Sequence, residues 1–186
     1  MLEVETIATP KNKSPYLHAL AEDLLFSHKR QVSSLFRDVI GLHEIDSLSL
    51  YYIDELQRLL AFSYTPAVEF NLFSSHLWQH DLTFSPQFFS KKQQAFWQEL
   101  YKDERFDELR YLKQLKYNFN IGFSLSKPQQ DYHLIYSFAT KSNDAQIKSL
   151  WLKVSDELSQ IGDYCFNHLK PLITDIATNE PTQEFA

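Results

Sequence analysis

Glycine is scarce in this 186-residue chain: Gly41, Gly122 and Gly162 are all it has. With so few, neither a glycine-rich phosphate loop nor the dinucleotide-binding G-x-G-x-x-G can be written. Cysteine is scarcer still. A single Cys165 rules out an internal disulfide and a C-x-x-C zinc pair, so a reducing, cytoplasmic setting is expected. No apolar run of about 18 residues occurs, so no segment is expected to enter a membrane. The opening MLEVETIATPKNKSP has no apolar stretch of the kind a signal peptide needs. Basic residues are in deficit, 18 Lys and Arg against 24 Asp and Glu, for a net charge of −6. That balance argues against a dedicated binder of the nucleic-acid backbone, whose affinity rests on clustered Lys and Arg.

Aromatic residues are what the chain has in excess, with 15 Phe, 10 Tyr and 3 Trp making up 15% of it. They crowd between Tyr51 and Trp97, and include Tyr52, Tyr64, Phe73 and Trp78. Core packing accounts for most of them. The remainder can line a cavity for a flat or aliphatic ligand, with Tyr and Trp offering polar tips.

Residues 1–13 read as a polar arm, 14–175 as one folded domain, and 176–186 as a tail or linker. Ser14-Pro15 predicts a helix start, with a break near His28 and a stop at Gly41. Two short β-prone runs, 47–53 and 59–64, predict a hairpin around Asp54–Arg58. Thr65-Pro66 opens a helix through about Trp78, and Ser90-x-x-Gln93 reads as a capping box before another. Phe106, Leu109, Leu112 and Leu115 mark a further helix. A second hairpin is predicted from 119–126 and 132–140, turning at 127–130. Asn143-x-x-Gln146 caps a last helix with the apolar face Ile147, Trp151, Val154, Leu158, Ile161 and Cys165, which Pro171 ends or kinks. The strands are apolar on both faces. The expected fold is therefore α+β: an α-β-α sandwich whose central antiparallel sheet is built from two hairpins, with helices on both faces.

No enzyme signature is present, and neither catalytic residues nor a cofactor are expected. His76 and His80 stand at i and i+4, but the glutamate of a hydrolytic zinc helix is missing, so surface or helix-end histidines are favoured over a metal site. Asp103, Glu104, Asp107 and Glu108 are interleaved with Lys102, Arg105 and Arg110, the pattern of a solvated helix face. Cys165 falls on an apolar helical stripe, as a buried, inert thiol would.

Two segments carry a more specific pattern. Tyr117-Asn118-Phe119-Asn120-Ile121-Gly122-Phe123-Ser124-Leu125-Ser126 opens the second hairpin, and Tyr136-Ser137-Phe138-Ala139-Thr140 closes it. Together with the element order, they resemble the N-terminal autoinducer-binding domain of LuxR-type transcription regulators, over about residues 30–172. Gly122 takes the family's glycine position, and Ser137 falls where a family hydroxyl can bond the ligand's acyl chain. The family's lactone-reading pattern is a tryptophan, a tyrosine four residues on and an aspartate nine further. Counted from Tyr64, the aspartate lands on Asp81 while the other two positions fall on Val68 and Leu72. A one-residue shift places Phe73 on the tyrosine position and loses the aspartate.

The resemblance implies a bacterial quorum-sensing regulatory domain that forms a homodimer. It would bury an apolar or amphipathic small molecule between sheet and helices, oriented by Asp81 and Ser137. DNA contact would come only through a helix-turn-helix domain, which these 186 residues do not contain, and this chain alone is not expected to bind DNA selectively. With Val68 and Leu72 in place of two head-group donors, common acyl-homoserine lactones are expected to bind poorly. The rival reading is a protein–protein interaction module with a filled aromatic core and no ligand. A cavity beside Tyr64, Phe73 and Trp78 would separate the two.

Overall fold

The computed structural model describes residues 13–178. Of the expected arm only Lys13 falls in this range, and residues 179–186 of the expected tail lie outside it. Along the chain run β1 (Tyr16–Leu17), α1 (Ala21–Ser27), α2 (Lys29–Arg37), β2 (Ser47–Ile53), β3 (Arg58–Ser63), α3 (Pro66–Ser74), α4 (Pro86–Phe89), β4 (Gln94–Phe96), α5 (Trp97–Leu100), α6 (Phe106–Lys113), β5 (Ile121–Pro128), β6 (His133–Thr140), α7 (Gln146–Lys153) and α8 (Ser155–Thr178).

The two hairpins, β2–β3 and β5–β6, meet through an antiparallel β2–β6 pair, giving a six-stranded sheet of order β1-β3-β2-β6-β5-β4. Only β1 against β3 is parallel. The Asp54 carboxylate builds the first turn, accepting from the backbone N–H of Leu56 and Arg58 and pairing with the Arg58 guanidinium at 2.7 Å.

Because side chains alternate along a strand, each strand feeds two cores. Leu48, Leu50, Leu60, Phe62, Phe123, Tyr136 and Phe138 face one side, where Phe36 of α2, Trp151 of α7 and Leu158, Cys165 and Leu169 of α8 cover them. Tyr51, Ile53, Leu59, Ala61, Ile135 and Ala139 face the other, under Leu25 of α1, Leu72 and Phe73 of α3, Phe89 of α4, Trp97 of α5 and Leu109 of α6. This is the expected α-β-α sandwich with a mostly antiparallel sheet.

Several local expectations are corrected. Ser14-Pro15 does not open a helix; Tyr16 and Leu17 add instead to the edge of β3, and helix begins at Ala21. The break at His28 is present. Ser90-x-x-Gln93 precedes a strand, because Gln94–Phe96 pairs with β5 at Leu125, Ser124 and Phe123. The second hairpin is shifted by about two residues from expectation at its start, and Gln129 N–H donates to the Tyr132 carbonyl in the turn. The expected last helix is two helices, interrupted at Val154, and Asp144 rather than Asn143 accepts from the Gln146 N–H. Pro171 does not end α8. Leu172 and Ile173 are buried beyond it and Ile176 packs on the same core, so apolar burial offsets the lost backbone hydrogen bond and carries helix past 175.

Candidate functional site

The strand faces that look toward α3–α6 are unusual in carrying small polar residues at buried positions. Ser63, Ser49, Ser137 and Ser124 stand side by side across β3, β2, β6 and β5. All four are nearly inaccessible. The hydroxyls of Ser49 and Ser63 lie 3.0 Å apart and those of Ser124 and Ser137 3.1 Å apart.

The two middle serines of this row are each held by a helical residue. The Ser49 and Tyr51 hydroxyls donate to Oε1 of Glu69 on α3, at 2.6 and 2.8 Å. The Trp97 indole N–H donates to Ser137 Oγ at 2.8 Å. Trp97 packs directly on β5 because Gly122 has no side chain: a Cβ there would come within 1.8 Å of the indole.

Asp81 is the second focus. It pairs with Tyr101 in an isolated antiparallel bridge and its Oδ1 accepts from the Thr83 N–H at 3.0 Å. Oδ2 accepts from the Lys113 ammonium at 2.7 Å, with the two side chains only 0% and 3% exposed. The same ammonium sits 4.3 Å from the Trp97 ring centroid and 5.3 Å from that of Tyr101. Tyr101 is fixed in turn by donating to Gln114 Oε1 at 2.9 Å.

Burial, followed by the negative charge of Asp81, holds the Tyr101 phenol well above its ordinary range. Tyr51 is raised likewise, by burial first and then by Glu69 and Asp81. Among the described residues, the buried polar atoms on this side without a hydrogen bond within the protein include Glu69 Oε2, Trp78 Nε1 and Thr83 Oγ1. Trp78 also lines a cleft of about 800 Å³, together with Asp81, Phe84, Phe88 and Leu100, edged by Gln79, Gln87, Gln93, Lys102 and Pro15.

Of the residues singled out from sequence, Val68, Leu72, Phe73, Trp78 and Asp81 lie on this side of the sheet, as do Gly122 and Ser137. Only Trp78 and Asp81 border the cleft. Tyr52 and Tyr64 pack against the opposite core, where Tyr52 stacks on Tyr132 at 5.2 Å. His76 takes a left-handed conformation (φ 61°) after α3 ends, so it shares no helix face with His80. Among the described residues no group of three metal-ligating side chains gathers, and no helix is long and apolar enough to cross a membrane.

Sequence reasoning missed Ser49, Ser63, Glu69, Trp97, Ser124 and Lys113. Two signals for them were present. Ser124 and Ser126 follow Gly122 at a spacing of two, so they share its face. Lys113 follows Phe106 and Leu109 at helical spacing, which places a lysine on an apolar face.

No family sequence model matches the chain, and no curated protein matches it in sequence. Solved structures do match. The chain superposes on Escherichia coli SdiA with a TM-score of 0.56 at 16% identity, over 89% of this chain and 72% of that one. The complex of SdiA with octanoyl-rac-glycerol matches at 0.54 and 17% identity, over 77% of this chain; the match spans 60% of that longer chain. The N-acylhomoserine lactone-dependent LuxR-family factor CepR2 of Burkholderia cenocepacia matches at 0.57 and 11% identity, over 81% and 92%. The fold is that of the LuxR-type ligand-binding domains. At these identities the likeness concerns the fold, and the side chains described above are this chain's own.

Proposed function

We propose that the chain is a ligand-sensing regulatory domain of the LuxR type that takes an apolar or amphipathic molecule on the α3–α6 side of its sheet. The observation that carries this reading is the cleft lined by Trp78, Phe84 and Leu100, in which the buried Trp78 Nε1 makes no hydrogen bond within the protein. An apolar wall with a few polar handles is the usual composition of a small-molecule site. Asp81 is held by Lys113, and Ser137 by Trp97. The polar contacts of a ligand therefore fall to Trp78 Nε1 and to the glutamines at the rim, Gln79 and Gln87. An acyl chain with a small neutral polar head, the chemistry of the octanoyl-glycerol held by SdiA, suits such a site. Ligand binding would favour the folded, dimeric form by linkage, with DNA contact left to a helix-turn-helix domain outside this chain. The reading supports a regulatory role and no catalytic one.

A second reading is favoured by the packing itself. Val68, Leu72 and Phe73 are at most 4% exposed, and Lys113 is buried against Asp81, Trp97 and Tyr101. A domain so filled would act through protein contacts alone. Native mass spectrometry of protein purified from its own host separates the two. A retained small molecule, together with a saturable rise in melting temperature on adding monoacylglycerols, is the result expected of the sensor. Common acyl-homoserine lactones should give no comparable rise. A chain free of small molecules and indifferent to the whole screen would establish the interaction module.

A further inference from the structure

The Asp81–Lys113 pair is chemistry that ligand sensing does not require. Taking an ammonium out of water costs several kcal/mol, so a residue wanted only to fill space at the end of α6 would be Leu or Met. What meets Lys113 is a set of groups suited to a cation: a carboxylate at 2.7 Å and two aromatic faces at 4.3 and 5.3 Å. A carboxylate beside aromatic faces attracts an ammonium ion far more than a neutral group. Each wall of this cage is also fixed independently of the lysine. Trp97 is pinned by Ser137 and seated on Gly122, Tyr101 is held by Gln114, and Asp81 is oriented by the Thr83 N–H.

We propose that this interior is an ammonium-binding site whose occupant is the chain's own Lys113, and that Lys113 thereby sets the ligand specificity of the domain. With Asp81 occupied from within, a molecule in the outer cleft gains nothing by offering it a donor. Ligands whose binding needs a donor to this carboxylate, such as the amide N–H of an N-acylated lactone, are excluded in favour of acyl compounds that bind without that contact. The specificity half rests on the ligand-sensing reading; the ammonium site stands without it.

Chemical rescue tests the site. In Lys113→Ala the Asp81 carboxylate is left buried and unpaired, and the melting temperature should fall by roughly 6–20 °C. n-Butylammonium chloride should restore it saturably, whereas 1-butanol and sodium chloride at equal concentration should not. Equal rescue by butanol, or a variant as stable as the parent and indifferent to butylammonium, would overturn the proposal. Should Lys113→Ala not fold, the double variant Asp81→Asn/Lys113→Met decides. It should be more stable than either single variant, and destabilisation that simply adds would count against the cage.

For specificity, Lys113→Met should bind an N-acyl-homoserine lactone at least about tenfold more tightly than the parent, the equivalent of one hydrogen bond to a charged acceptor. No gain would remove that half. Because butylammonium rescue needs no natural ligand, its failure is distinguishable from a failure of the sensor reading, which the native mass spectrum of the parent chain reports.

Discussion

Gly122 shows how one residue can position a site without touching a ligand. Its missing Cβ lets the Trp97 indole lie on β5, reach Ser137 and present its face to Lys113. In Gly122→Ala the methyl group would stand 1.8 Å from a ring carbon held on both sides, so the indole must move. Overpacking of this kind costs about 1–3 kcal/mol, and losing the Ser137 hydrogen bond adds about 1 kcal/mol. The urea midpoint of Gly122→Ala should fall accordingly with little change in slope. A midpoint equal to the parent's would mean that Trp97 is free to leave the sheet. At this scale Gly122, Asp81 and Ser137 were singled out from sequence because each stands in a recognisable local pattern. Their partners Trp97 and Lys113 were not, since nothing local ties residue 97 to 137 or residue 113 to 81.

The elements differ in how far their own residues specify them. α8 continues through Pro171 because its apolar stripe resumes at Leu172, Ile173 and Ile176. Residue 171 itself is exposed, so Pro171→Ala should restore one helical hydrogen bond without disturbing the core. An interior proline costs about 3 kcal/mol, partly offset by the 0.4–1 kcal/mol that proline saves in the unfolded chain. The variant should gain about 2 kcal/mol, read as a rise in melting temperature of roughly 4–8 °C. A fall would mean that the proline shapes the helix to fit the sheet. β4 is the opposite case. Gln94–Phe96 has only three residues and owes its conformation to pairing with β5, so a helix-start pattern before it was misleading. β1 is likewise two residues long, extended only because β3 offers it an edge.

For the whole molecule, the two cores make alkaline pH a sensitive probe. Burial pushes the Cys165 thiol from its ordinary 9.0 up to about 12. Between those values the unfolded chain sheds a proton that the folded chain keeps, so stability must fall as pH rises through that window. Tyr51, Tyr101 and Tyr136 are also raised above 10.0, each chiefly by burial, and they act with the same sign at higher pH. Denaturation midpoints should therefore drop as pH rises above about 9, and more steeply beyond pH 10. Cys165→Ala should remove the earliest part of the drop. A profile unchanged by that substitution would place the alkaline sensitivity in the tyrosines alone.

What the sequence by itself determined is the class of the molecule and the order of its elements. Strand-period runs at 47–64 and 119–140, apolar on both faces, call for burial between two helical layers, and this follows from periods of two and 3.6 residues. The absence of catalytic and phosphate-binding patterns is equally local. Tertiary structure decided the site. Strand register set Ser63, Ser49, Ser137 and Ser124 in one row, while Tyr52 and Tyr64 pack on the core opposite Asp81. The approach of α6 brought the Lys113 ammonium to Asp81, Trp97 and Tyr101. These residues lie up to dozens of positions apart, and the energy that joins a buried carboxylate to a buried ammonium exists only once both have left water.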